Sequence, residues 1–158
     1  SIPAQSSIRA RSASTDAPTF NEDKETSMTL SYDLAQKMVS RAVEAGRTQG
    51  CPIVAVAVDL AGNPVAIARM DGVNAVNTEI ARKKALAAAA FRSATHDFVD
   101  QVQRDPLAKT VVLAETSINL LPGGFPLHEG DNVVGGLGIA GGFYLQDRAI
   151  GEFAVSGK

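Results

Sequence analysis

The stretch Ile53-Val-Ala-Val-Ala-Val-Asp-Leu-Ala-Gly-Asn-Pro-Val-Ala-Ile-Ala-Arg-Met70 decides the fold. Its first six residues are apolar without a break and rich in β-branched valine, the pattern of a strand covered on both faces. Asp59-Leu-Ala-Gly-Asn63 reads as a turn, because Gly62 and Asn63 tolerate positive φ. Pro64–Met70 then returns as a second strand, which makes the pair an antiparallel hairpin.

Helical segments lie on either side of it. Ser31–Gln49 offers Ser31 as N-cap and an apolar stripe of Leu34, Met38 and Ala42 with Val39 and Val43, which Gly46 weakens and Gly50 ends. Asn77–Arg92 is the strongest helix, alanine-rich, with Asn77 or Thr78 as its cap. Thr95 is placed to cap a short helix through Val102, and Pro106 to start another toward Ala114. Pro122-Gly-Gly124 breaks the chain before a second apolar pair, Phe125–His128 and Val133–Ala140, joined by a turn at Glu129-Gly-Asp-Asn132. Phe143–Val155 closes the order as a helix with Ala149, Ile150, Phe153 and Ala154 on one side. These elements predict an α/β (α+β) fold: an antiparallel sheet of about five strands sandwiched between helices, in a profilin-like three-layer arrangement.

The 158 residues suit one domain, and 45% hydrophobic against 20% charged residues suffices for a buried core. With 15 basic and 17 acidic residues the net charge is −2, which excludes a nucleic-acid binder that works through a general basic field. A single cysteine, Cys51, excludes an internal disulfide and a Cys-rich metal site. The longest apolar runs, Ile53–Val58 and Ala85–Phe91, are too short for a membrane span.

Residues 1–27 read as a polar tail ahead of a single domain at 28–158. Ser1–Thr19 is rich in Ser, Ala and Pro, carries Arg9 and Arg11, and lacks both an acid before Asp16 and an apolar h-region. A plain tail, a transit-like segment, or a trimmed or engineered end all fit, so the compartment stays open between the cytoplasm and export after N-terminal processing. Within it, Glu22-Asp-Lys-Glu25 sets two carboxylates one helical turn apart, able to share a cation or to stand as a solvated cluster. A polar tail orders only when something ties it down, and a neighbouring subunit is the expected support.

Gly136-Leu-Gly-Ile-Ala-Gly141 spells G-x-G-x-x-G, yet no second parallel strand or ribose-binding acid follows, so a dinucleotide site is not expected. The glycines instead predict backbone that closely approaches a packed helix or a flat ligand. The start of the last helix can receive a carboxylate on its free N–H groups. Lys84 shares a helix face with Ile80, Ala87 and Phe91, so it either snorkels or meets an acid or anionic ligand at the core's edge. Asp59, Arg69 and Asp71 mark the ends of the first hairpin, as a corner ion pair or as a carboxylate clamp. His96 follows Thr95 and is expected to be exposed at a helix start. His128 ends a strand beside Glu129 at the rim of a Gly-rich turn, and is the candidate metal ligand or base. Ser117 and Cys51 carry no nucleophile signature.

Several of these segments together resemble the GlcG/HbpS-like haem-binding family. They are Val56–Gly72, the helix with Lys84-Ala85, Gly123-Gly-Phe-Pro126, Val134-Gly-Gly-Leu-Gly-Ile-Ala-Gly-Gly142 and Gln146-Asp147, in family order over about residues 30–156. The resemblance implies an antiparallel sheet between helices and a homo-oligomer larger than a dimer. It also implies binding of haem or a related tetrapyrrole, in some members linked to haem degradation or redox sensing. On that reading the tetrapyrrole lies against Gly123, Gly124, Gly138 and Gly141, and Arg69 or Lys84 pairs with its propionates. His128 would be the axial ligand, an assignment made from its own position, since the family pattern has no histidine there. Two other readings stand beside it. One is a cofactor-independent enzyme on a small organic acid or carbonyl compound, in which Lys84 and Arg69 hold the substrate and Asp59 or His128 moves the proton. The other is an accessory or sensing partner of another protein.

Overall fold

The computed structural model describes Ser1, Pro3 and residues 28–157; the rest of the polar tail, with the Glu22–Glu25 cluster, lies outside the described residues. The elements run α1 (Tyr32–Thr48), β1 (Val54–Asp59), β2 (Pro64–Arg69), α2 (Val76–Phe91), α3 (Thr95–Gln103), α4 (Pro106–Leu113), β3 (Gly124–Glu129), β4 (Asn132–Ala140) and α5 (Tyr144–Val155). The strands form one antiparallel sheet in the order β2-β1-β4-β3. The expected count of about five strands is thus corrected to four among the described residues. The connection from α4 to β3 adds no edge strand: Pro122 has no N–H to donate, and Gly123 turns the chain at φ 124°.

Strand β1 is central, with Val56 opposite Ile67 on one side and Gly138 on the other. Its alternating side chains divide the core. Ala55 and Ala57 face α1 and α5, whereas Val54, Val56 and Val58 face α2. The result is the expected three layers: α1 with α5, the sheet, and α2 leading into α3 and α4.

Small residues set the spacing of the second interface. Ala81, Ala85 and Ala89 of α2 are buried against β4, where Gly136 and Gly138 present no side chain. A Cβ built at Gly138 would run into the carbonyl of Ala81, and one at Gly136 into that of Ala85. The close approach read from the glycine run is therefore made by a helix.

Helix boundaries differ in detail from the sequence reading. Asn74, rather than Asn77 or Thr78, holds the start of α2, its Oδ1 accepting the N–H of Val76 at 3.1 Å. Thr95 caps nothing: it begins α3, is buried, donates to Leu121 O (2.9 Å) and accepts from Gly124 N–H (3.0 Å), so it clamps α3 to the start of β3. In α5 the inward stripe is Asp147, Ile150, Gly151 and Ala154, while Ala149 and Phe153 are exposed.

Candidate functional site

Lys84 does not snorkel. It is 1% exposed, and its Nζ donates to Asp147 Oδ2 at 2.9 Å and to Ile139 O at 2.8 Å. Asp147 is 2% exposed, and its Oδ1 accepts the N–H of Gly142 at 3.0 Å. Burial pushes the Lys84 ammonium down and the Asp147 carboxyl up; their mutual attraction opposes both shifts. Gly123 belongs to this cluster, since a Cβ there would stand 3.1 Å from Lys84 Nζ and 3.0 Å from Asp147 Cβ.

The pair forms part of the wall of a cavity of about 230 Å³, together with Asn77, Ile80, Leu121 and the Ala140–Tyr144 segment. Leu121 and Tyr144 are also walls of a larger cleft of about 540 Å³, lined mainly by Val99, Val112, Leu113, Ile118 and Leu120, with Gln103 and Glu115 among its polar groups. On the other side, Gly141, Gly142 and Phe143 continue into a hollow of about 440 Å³ that Cys51 also lines. Burial, then the Asp147 charge, pushes the Cys51 thiol up, away from the reactive thiolate.

The sequence-derived residues divide between the two ends of the sheet. Lys84, Gly123, Gly124 and Gly141 share the end at which β4 finishes. Of these, Gly124 packs on the backbone of Lys84 and on Thr95, and Gly138 packs on α2, so α2 occupies the space a ligand would need at both. Gly141 does line the small cavity. His128 is exposed and pairs with Val133, six residues along β4 from Ile139, or about 20 Å at the usual rise of a strand. One chain therefore does not bring His128 to Lys84. Asp59 is also at the far end, where its Oδ1 accepts the N–H groups of Ala61 (3.0 Å) and Asn63 (2.9 Å) and holds the β1–β2 turn.

Arg69 pairs with Val54 in the sheet, about 17 Å along β1 from Asp59, and is exposed. It donates to Val73 O at 3.3 Å and lines a separate hollow with Asp71. The expected corner ion pair among Asp59, Arg69 and Asp71 is thus corrected: no such pair joins them among the described residues. His96 is half-buried rather than exposed, with its ring edge-on to Phe125 at 5.8 Å and its Nδ1 buried without a partner. Asp147 entered the sequence reading only inside the family signature. The signal that marks it is its place in the i, i+3, i+4, i+7 series with Ile150, Gly151 and Ala154, a carboxylate on the inward face of a helix.

Among the described residues no group of three or more His, Cys, Asp or Glu could hold a metal ion, and no helix is long and apolar enough to cross a membrane.

Known proteins share both sequence and shape with this chain. It is 34% identical over 125 residues to the uncharacterized 15.0 kDa protein of the dhaT-dhaS intergenic region of Citrobacter freundii, covering 77% of this chain and 87% of that protein. It is 34% identical over 134 residues to the corrinoid adenosyltransferase PduO of Salmonella typhimurium, covering 83% of this chain but only 39% of that enzyme's length. Among solved structures, the PduOC–haem complex superposes with a TM-score of 0.70 at 31% identity, covering 81% of this chain and 94% of that one. The HbpS crystal structure, at 24% identity and a TM-score of 0.72, covers 94% and 97% and shares the fold. A family model described as haem degrading protein HbpS-like matches residues 30–156, and with these relatives it shows that the chain belongs to the HbpS-like family.

Proposed function

We propose that this chain binds haem or a related tetrapyrrole in the apolar cleft between α3, α4 and the loop that leads to β3. The observation that carries the reading is the cleft itself, about 540 Å³ with walls of Val99, Val112, Leu113, Ile118 and Leu120, in a chain 31% identical to a haem-complexed relative. A flat macrocycle needs apolar walls of this kind, with a few polar groups to orient it.

The residues present fit that group in part. Tyr144 lines the cleft, and its phenol oxygen is a side-chain group there that would hold a haem iron. His128, the ligand read from the sequence, reaches an iron in this cleft only from a neighbouring copy, because its own strand carries it to the other end of the sheet. Lys84 is already engaged by Asp147 and Arg69 lines another hollow, so the free N–H groups of the first turn of α5, beside Tyr144, are the better partners for propionates. Bound haem would supply redox and oxygen chemistry; this chain's residues bind and orient it. Haem degradation or redox sensing is the activity this reading places downstream of binding.

Assembly belongs to the same reading. Phe143 is 80% exposed and Leu107 74%, and Leu113, Leu145 and Val111 are also exposed. Exposed apolar side chains on a small domain support a covered interface, and the family resemblance supplies the expectation of a homo-oligomer larger than a dimer. Light scattering on the full chain and on one starting at Thr29 tests both the assembly and the contribution of the tail; a monomeric mass overturns it. Hemin titration tests the ligand. We expect a saturable Soret shift, altered in position by Tyr144→Phe, whereas His128→Ala changes the spectrum only if a second copy supplies the ligand. No saturable shift ends the reading.

A further inference from the structure

The cavity beside Lys84 and Asp147 is chemically unlike the apolar cleft. Its wall contains an amine and a carboxyl that hydrogen bond to each other at 2.9 Å, both almost wholly removed from water. Lys84 Nζ has a second partner in Ile139 O, which leaves the third hydrogen of an ammonium without a protein acceptor in the described contacts of that atom. Passing one proton across the bond from Nζ to Oδ2 turns the ion pair into an amine and a carboxylic acid. Burial lowers the cost of that neutral form, because it removes two charges from a poorly solvated place, while the attraction between the charges holds the ion pair as the resting form. A neutral amine is a nucleophile toward carbonyl carbon, and a carboxylic acid beside it is a proton donor.

The rest of the wall selects the substrate class. Ile80, Leu121 and Ala140 are apolar, and Asn77 offers an amide. About 230 Å³ admits a compound of a few carbons. A carboxylate there would lose its water beside apolar walls, and the one cationic residue among them, Lys84, is already held by Asp147, so an uncharged compound is favoured over an organic acid.

We infer that Lys84 forms a reversible imine with a small uncharged aldehyde or ketone in this cavity, with Asp147 as the proton carrier. The amine nitrogen bonds to the carbonyl carbon while the carbonyl π pair moves to oxygen. The proton lost by nitrogen passes through Asp147 to that oxygen, giving the carbinolamine. A second proton carried the same way releases water as the C=N bond forms. The balance is amine plus carbonyl to imine plus water, with no change of oxidation state. Nothing in this step uses a tetrapyrrole, and it stands or falls apart from the tetrapyrrole reading.

The test uses the full chain free of haem, incubated with propionaldehyde and sodium cyanoborohydride, which reduces an imine to a stable propyl adduct. Peptide mapping by mass spectrometry then locates the adduct. We expect Lys84 to carry most of the propyl label, ahead of the exposed Lys37 and Lys109. Labelling confined to exposed lysines overturns the inference. Asp147→Asn keeps the shape of the side chain but also removes the charge that favours the ammonium, so the two proteins are compared at a pH where each labelling rate has reached its plateau. There, with its fold checked by circular dichroism, the variant should label Lys84 more slowly. Equal labelling removes Asp147 as the proton carrier. Faster labelling by glyoxylate than by propionaldehyde overturns the preference for an uncharged substrate.

Discussion

Lys84 Nζ lies 2.9 Å from Asp147 Oδ2 across 63 positions of sequence, and the two are the buried members of one ion pair. One residue belongs to α2 and the other to α5, helices that cover opposite faces of the sheet. The pair thus closes the end of the sheet where β4 finishes, and Ile139 O ties it to the strand. Desolvating two charges offsets much of their attraction, so the pair's importance appears when one partner is removed.

Lys84→Met leaves Asp147 buried without its counter-charge and should cost about 3–5 kcal/mol. The double change Lys84→Met with Asp147→Leu removes both charges and should recover most of that loss. Urea unfolding of the three proteins decides. A double variant as unstable as the single one would assign the loss to packing shape rather than to charge.

The same pair sets a pH signature. Burial holds Lys84 below its ordinary 10.5, so between the lowered value and 10.5 the unfolded chain binds more protons, and stability from this group rises with pH. Burial holds Asp147 above its ordinary 3.8, so between 3.8 and the raised value the folded chain binds more protons, and stability from this group falls as pH rises. The stability difference between wild type and the double variant should show both slopes in their two windows. A difference that stays flat with pH sinks this account.

Gly138→Val should destabilise by more than the roughly 1 kcal/mol of an average substitution, because the added atoms meet the backbone of α2 at Ala81, which cannot rotate away. Gly130→Asn makes a contrasting control. Gly130 has open space and φ 59°, a conformation asparagine tolerates, so thermal melting should change little.

Thr95→Val keeps the side-chain shape but removes the hydroxyl that joins Leu121 O and Gly124 N–H. The buried Gly124 N–H loses its partner, for a cost of about 1–3 kcal/mol, while the partly buried Leu121 O can turn to water at a smaller cost. Hydrogen exchange should quicken at Gly124 first; protection unchanged there contradicts the clamp.

Asp59→Ala should lower stability by about 1 kcal/mol through the β1–β2 turn, whose N–H groups it holds, and leave hemin affinity and carbonyl labelling as in wild type. A loss of either binding activity with the fold intact would restore Asp59 to a functional role.

The local elements were legible from residue order alone. The unbroken Ile53–Val58 run and its Gly62-Asn63 turn specify a hairpin whose central strand must be covered twice, and the alanine-rich segment around Ala85 specifies a helix able to approach glycine closely. Lys84 stood out because a lysine on an apolar helix face requires a partner or an exit. Residue order did not reveal which of these it found. That depended on α5 folding back over the other face of the sheet and bringing Asp147 to it, a contact between distant residues that no local period encodes. The same limit separates Asp59 and His128 from Lys84. All four ionisable candidates looked equally free to meet in one pocket. The direction of each antiparallel strand sent Asp59 and His128 to one end and Lys84 and Arg69 to the other, because a strand carries its side chains about 3.3 Å farther at every residue.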